Sequence, residues 1–209
     1  MDETTKYRGY TIEILPDENP WDPRDGQDNL GTMVFFHRRY NLGDKNHGIN
    51  SNDFNGWDEM LQFIAKKLHG SIIIPVYMYD HSGVTISTSH EYPYNDRWDA
   101  GQLGFIFTTR KRMAEWYGIK PKSVDVAVAK KAYAHLQGEV DEYDKYLRGD
   151  VYGFVVTDKD GEEVDSCWGY YDDDAMTEAK SIVDAILKNK PSIRYNIRDA
   201  KGRFIKQTE

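Results

Sequence analysis

Apolar and polar positions alternate along Tyr10–Leu15 (YTIEIL), and that alternation predicts a strand. A second strand is expected over Thr32–Phe36 (TMVFF), where β-branched and aromatic residues run together. Between them, Pro16–Asn29 is rich in Pro, Asp, Asn and Gly and predicts a long surface loop; Asn41–Asn55 reads the same way. The period then changes. Trp57, Leu61, Ile64 and Leu68 share one face of a helix over Trp57–His69. Asn55 is its expected N-cap, Lys66 and Lys67 suit its negative end, and Gly70 is its expected left-handed stop. Ser71–Asp80 and Val84–Ser89 predict a hairpin turning at His81-Ser82-Gly83, with Pro75 requiring an edge or a bulge in the first strand. Leu103–Thr108 is a further strand, and Met113–Tyr117 a short helical turn.

The strongest periodic signal is the stripe Val124, Val128, Ala132, Leu136, Val140, Tyr143 and Leu147. It predicts a helix from about Val124 to Leu147, capped by Ser123 and ended by Gly149. Val151–Thr157 and Glu163–Trp168 predict a hairpin around Asp158-Lys159-Asp160-Gly161, and Ala175–Lys188 a last helix. Ile193–Ile205 is expected to be a small basic hairpin. Strands come in pairs instead of alternating strictly with helices. That order predicts an α+β fold, a mostly antiparallel sheet packed against two or three helices. No Pro- or Ser-rich linker divides the chain, so residues 1–190 are expected to form one domain and 191–209 a basic hairpin or tail.

Composition adds little that the pattern lacks. Apolar residues make up 39% of the 209, and the 15 Tyr, 8 Phe and 5 Trp exclude a disordered chain. The single cysteine, Cys167, cannot form an internal disulfide, which favours a reducing compartment, expected to be a host cytoplasm. The start Met1-Asp2-Glu3-Thr4-Thr5 is not expected to be a signal peptide, and no apolar run is long enough to cross a bilayer, so no membrane partner is expected. Charge is uneven. Residues 139–187 carry 4 basic and 15 acidic residues, a net of −11, whereas residues 188–209 carry 7 basic and 2 acidic, a net of +5. The first block would repel a phosphate backbone and the second attract one.

Several segments together resemble a known group. They are Asp28-Asn-Leu-Gly-Thr-Met-Val with His37-Arg-Arg-Tyr-Asn-Leu-Gly-Asp44, then Tyr79-Asp-His-Ser-Gly83, then Trp98-Asp-Ala-Gly-Gln-Leu-Gly-Phe105. Glu139-Val-Asp-Glu-Tyr-Asp-Lys-Tyr-Leu-Arg-Gly-Asp-Val-Tyr-Gly-Phe154 and Asp165-Ser-Cys-Trp-Gly-Tyr170 complete the set. They resemble a family of small proteins encoded by bacteriophages, plasmids and other mobile elements, over roughly residues 7–187. Gln27 stands where relatives tend to have Trp, and residues 45–57 look shortened. The resemblance implies a mobile-element context, in which proteins are often accessory factors and some block host defence. It implies no particular chemistry.

The residues offer few catalytic candidates. Cys167 could be a nucleophile activated by His81 or His37; the plainer reading is a small buried residue beside Trp168. Asp80-His81-Ser82 holds the residue types of a hydrolase triad, but neighbours in a turn rarely face one another. The six histidines lack metal-ligand spacing, and Asp172-Asp173-Asp174 suits a helix start better than a metal, so no metal or cofactor is expected. His37-Arg38-Arg39-Tyr40 and Arg110-Lys111-Arg112 each follow an aromatic strand. If those strands run parallel, Arg38, Arg39, Tyr40, Arg110 and Arg112 form one basic, aromatic mouth for an anion. The expected function is an accessory protein that binds a host macromolecule, expected to be a host protein, through its acidic block, in the manner of an anti-restriction or anti-CRISPR inhibitor. The alternative is an enzyme acting on a nucleotide or nucleic acid through the basic mouth.

Overall fold

Two separate strand systems emerge from the paired strands. The computed structural model describes residues 3–26, 28–89 and 99–189. Strands β1 (Glu3–Tyr7), β2 (Tyr10–Pro16), β7 (Tyr152–Thr157) and β8 (Glu163–Tyr170) form one sheet in the order β1-β2-β7-β8. Strands β3 (Thr32–Phe35), β4 (Gly70–Asp80), β5 (Val84–Ser87) and β6 (Ala100–Thr109) form a second, in the order β3-β6-β4-β5. Every strand pairing is antiparallel. Helices α1 (Trp57–Lys66), α2 (Arg110–Trp116), α3 (Val126–Arg148) and α4 (Asp174–Asn189) complete an α+β fold. The chain thus begins in the first sheet, builds the second, and returns to the first.

The second sheet is covered on both faces. Met33, Ile74, Leu103 and Ile106 pack with Ala132, Leu136 and Val140 of α3, while Val34, Phe105 and Phe107 pack with Met60 and Ile64 of α1. Two buried faces explain why Leu103–Thr108 reads as a continuous apolar run without alternation. Among the described residues, the first sheet has one covered face. Ile12, Ile14, Phe154 and Val156 meet Ala175, Ala179 and Val183 of α4, and β2 alternates buried and half-buried positions as its sequence does.

Several boundaries differ from the sequence expectations for local reasons. Strand β1 lies in a polar N-terminal stretch that carries no apolar alternation; it forms because the turn at Arg8-Gly9 folds it back on β2. In α1 the N-cap is Gly56, not Asn55, and the left-handed residue after the helix is His69, which leaves Gly70 to start β4. The buried side of α1 is Met60 and Ile64, and Leu61 is exposed. Helix α3 is capped by Asp125, whose carboxylate accepts from the Val128 N–H, while Ser123 lies in a preceding 3-10 turn. Gly149 ends α3 in the left-handed conformation, as expected. Pro75 sits in β4 beyond the reach of β5, which pairs only with Tyr77–Asp80, so its missing N–H faces no partner strand. The basic segment 191–209 lies outside the described residues.

Candidate functional site

Three sequence segments, residues 28–34, 37–44 and 139–154, meet at one buried cation. Arg24 projects from the loop after β2, and its side chain is only 2% exposed. Its guanidinium donates to both oxygens of Asp44, at 2.8 and 3.0 Å, to Glu139 at 2.8 Å and to the Gly31 carbonyl at 2.8 Å. Glu139, on α3, also accepts the Leu30 N–H at 2.7 Å and the Gly31 N–H at 3.1 Å. Asp44 accepts the Met33 N–H at 2.9 Å, and the Tyr143 hydroxyl accepts from the Gly43 N–H at 3.0 Å. Burial opposes the guanidinium charge, but the bonds and charges of Asp44 and Glu139 outweigh it and hold Arg24 above its ordinary value. Burial pushes Tyr143 up to about 12. The network ties two loops to α3 with its polar groups satisfied, which is the signature of a structural lock. Sequence reasoning did not find Arg24, because nothing within its own loop marks it.

A cleft of about 390 Å³ opens beside this lock, lined by Arg24, Asn29, Asp44, Lys45, His47 and Arg112 among others. Its cations are already engaged. Lys45 meets Asp25 at 3.1 Å, Arg112 pairs with Asp28 and donates to the Asn29 carbonyl, and Arg24 makes the four bonds described above. His47 accepts the Ile49 N–H through Nδ1 at 3.1 Å, and burial lowers its pKa, so the cleft adds no free positive charge there.

The shared basic mouth does not form. β3 and β6 pair antiparallel, Thr32 opposite Phe107 and Phe35 opposite Gly104, so the residues after each strand emerge at opposite ends of the sheet. Arg110 donates to the Pro121 and Val124 carbonyls at 2.7 and 2.6 Å and closes the turn before α3. Arg112 holds the Asp28-Asn29 segment. At the other end, Arg39 pairs with Asp80, the Tyr40 hydroxyl donates to Asp80 at 3.2 Å, and the His37 ring stacks on Tyr40 at 5.0 Å. Arg38 is exposed beside them. His81 lies 3.2 Å from Asp99 and stacks on Tyr79. His37 and His81 therefore reach one end of the sheet, on its exposed rim, each in local contacts.

Cys167 and these histidines belong to different sheets, since His37 follows β3 and His81 follows β4. The cysteine lies on β8, and no histidine belongs to any strand or helix of that sheet. The thiol is exposed and not buried as the apolar reading expected, because β8 is the outermost strand of its sheet. The side chain beside it is Tyr170, whose hydroxyl is pushed up to about 12 by the hydrogen bond to Cys167, by burial and by nearby carboxylates. Seven of the eight β8 residues are exposed, and Trp168 lies flat over Gly153, where a Cβ would collide with its ring. Among the described residues no group of three or more His, Cys, Asp or Glu side chains could hold a metal ion, and no helix is long and apolar enough to cross a membrane. No protein-family model matches the chain, and no curated protein or solved structure matches it either.

Proposed function

We propose that this chain is a mobile-element accessory protein that acts by binding a host macromolecule, as an anti-defence inhibitor of the anti-restriction or anti-CRISPR type would. The open side of the sheet β1-β2-β7-β8 together with its β8 edge is its contact surface, and a basic host protein its partner. One contrast carries the reading. The second sheet is buried on both faces, whereas the first is covered, among the described residues, by α4 alone, with Trp168 46% exposed beside half-buried Leu15 and Val155. Exposed tryptophan on an otherwise open sheet is the kind of anchor that dominates protein interfaces. Along the β8 edge and the α4 side of the same sheet, residues 158–188 expose nine carboxylates (Asp160, Glu162, Glu163, Asp165, Asp172, Asp173, Asp174, Glu178 and Asp184) against the two exposed lysines Lys159 and Lys188. Such a field steers basic partners in and repels phosphate. The enzymatic alternative loses its geometric support, since its two arginine clusters do not face one another.

The test is affinity capture from host lysate with the tagged full chain, scoring bound proteins and nucleic acid separately. The variant Asp165→Lys/Trp168→Ala is expected to lose its specific protein partners by on the order of tenfold or more. A control, Lys122→Glu, on the 3-10 turn before α3, should retain them. Equal capture by both folded variants would exclude this surface.

A further inference from the structure

We infer that β8 takes an extended, basic segment of a partner protein as an additional strand of its sheet; the inference rests on the binding role proposed above. The backbone edges of the two sheets differ in how they are closed. The β3 edge is occupied by a bridge between Val34 and Gly43, by the Asp44 N–H bonded to the Met33 carbonyl, and by the Asp44 carboxylate on the Met33 N–H. The β5 edge is capped by Asp144 of α3, which accepts the Ile86 N–H at 2.7 Å. Side chains and loops thus protect both edges of the second sheet, as proteins commonly do to prevent unwanted pairing. In the first sheet, β1 is a five-residue edge carrying one Glu and one Lys. β8 is longer, eight residues, and among the described residues no strand or helix lies along its outer side.

The register specifies what would fit. Between the irregularities at Tyr152/Gly153 and Val156/Thr157, the ladder runs regularly from Asp165 to Trp168. Asp165 and Cys167 stand opposite Val156 and Phe154 and share the α4 face; Ser166 and Trp168 stand opposite Val155 and Gly153 on the open face. An added strand would therefore place alternate side chains beside Asp165 on one face and beside Trp168 on the other. Glu163 and Glu162 extend the negative charge at one end of the edge. An alternating basic and apolar strand satisfies both faces, with main-chain bonds providing affinity and the carboxylates choosing the sign of the partner. A nucleic acid strand satisfies neither requirement.

The full chain is titrated with an alternating arginine–valine peptide of about eight residues, a length suited to strand addition. Two further versions are N-methylated on every second amide, one in each phase, and octa-arginine serves as a charge control. Strand addition predicts that methylation in one phase weakens binding more than tenfold and methylation in the other does not. It also predicts that octa-arginine binds more weakly, and that Glu163→Lys/Asp165→Lys abolishes binding. Equal effects of the two phases, octa-arginine binding as tightly, or no binding of the unmodified peptide would each overturn strand addition. Carbodiimide cross-linking identifies other occupants. A link from Glu163 or Asp165 to Lys201 or Lys206 of the same chain would assign the edge to the chain's own C-terminal segment, and a link at dimer mass to a second copy; either overturns the inference. If strand addition fails while lysate capture still depends on Asp165 and Trp168, the binding role stands and only its mode is wrong.

Discussion

Arg24 reaches carboxylates 20 and 115 positions away in the chain, and each of them also serves backbone N–H groups that have no other partner in the network. Removing the guanidinium leaves two carboxylates crowded together, with Glu139 only 8% exposed. Arg24→Ala is therefore expected to cost about 3–5 kcal/mol in urea unfolding, and Arg24→Lys to recover part of that, since an ammonium keeps the charge but loses the paired fork. A loss under about 1 kcal/mol would reduce the network to a surface ion pair. The residue scale also explains the motif glycines. A Cβ on Gly104 would strike the Val34 carbonyl oxygen across the strand pair, and one on Gly31 would strike Leu136. Gly104 is required by this close approach of backbone, whereas a Cβ at Gly31 would force the buried Leu136 and Ile106 side chains to shift; no local pattern could have shown what either approaches.

At the scale of elements, most of the secondary structure was legible. The stripe from Val128 to Leu147 appears as the inner face of α3, with Ala132, Leu136, Val140 and Tyr143 buried. What failed was the helix start: the expected cap, Ser123, is spent in a 3-10 turn that Pro121 begins, and Asp125, which the stripe did not single out, caps the helix. Asp125→Ala should therefore lower stability by about 1 kcal/mol, while Ser123→Ala should change it by less than about 0.5 kcal/mol. Thermal unfolding of the two variants decides which residue caps; the reverse order would restore the sequence reading. β1 escaped notice for a different reason. Its side chains are mostly exposed, so the sequence carries no burial pattern, and the strand exists only because β2 offers a partner.

At the scale of the whole molecule, antiparallel pairing of β3 with β6 separates the two arginine clusters and gives each a structural task. The double variant Arg39→Ala/Arg110→Ala should then show stability losses that add within about 0.5 kcal/mol, as independent sites do. Coupling beyond about 1 kcal/mol would bring the clusters back into one site. The sequence by itself determined the α+β class, the helical faces, most strand segments and the uneven charge, because periodicity and charge are local quantities that each segment expresses on its own. Tertiary structure decided the rest. It split the strands between two sheets, turned a lone arginine into the lock joining two loops and α3, parted the basic clusters, and set Cys167 and Trp168 on an exposed edge. Each of those outcomes depends on which distant strand pairs with which, in what direction and register. That choice is made by the burial of whole faces against α1, α3 and α4, which no window of neighbouring residues contains.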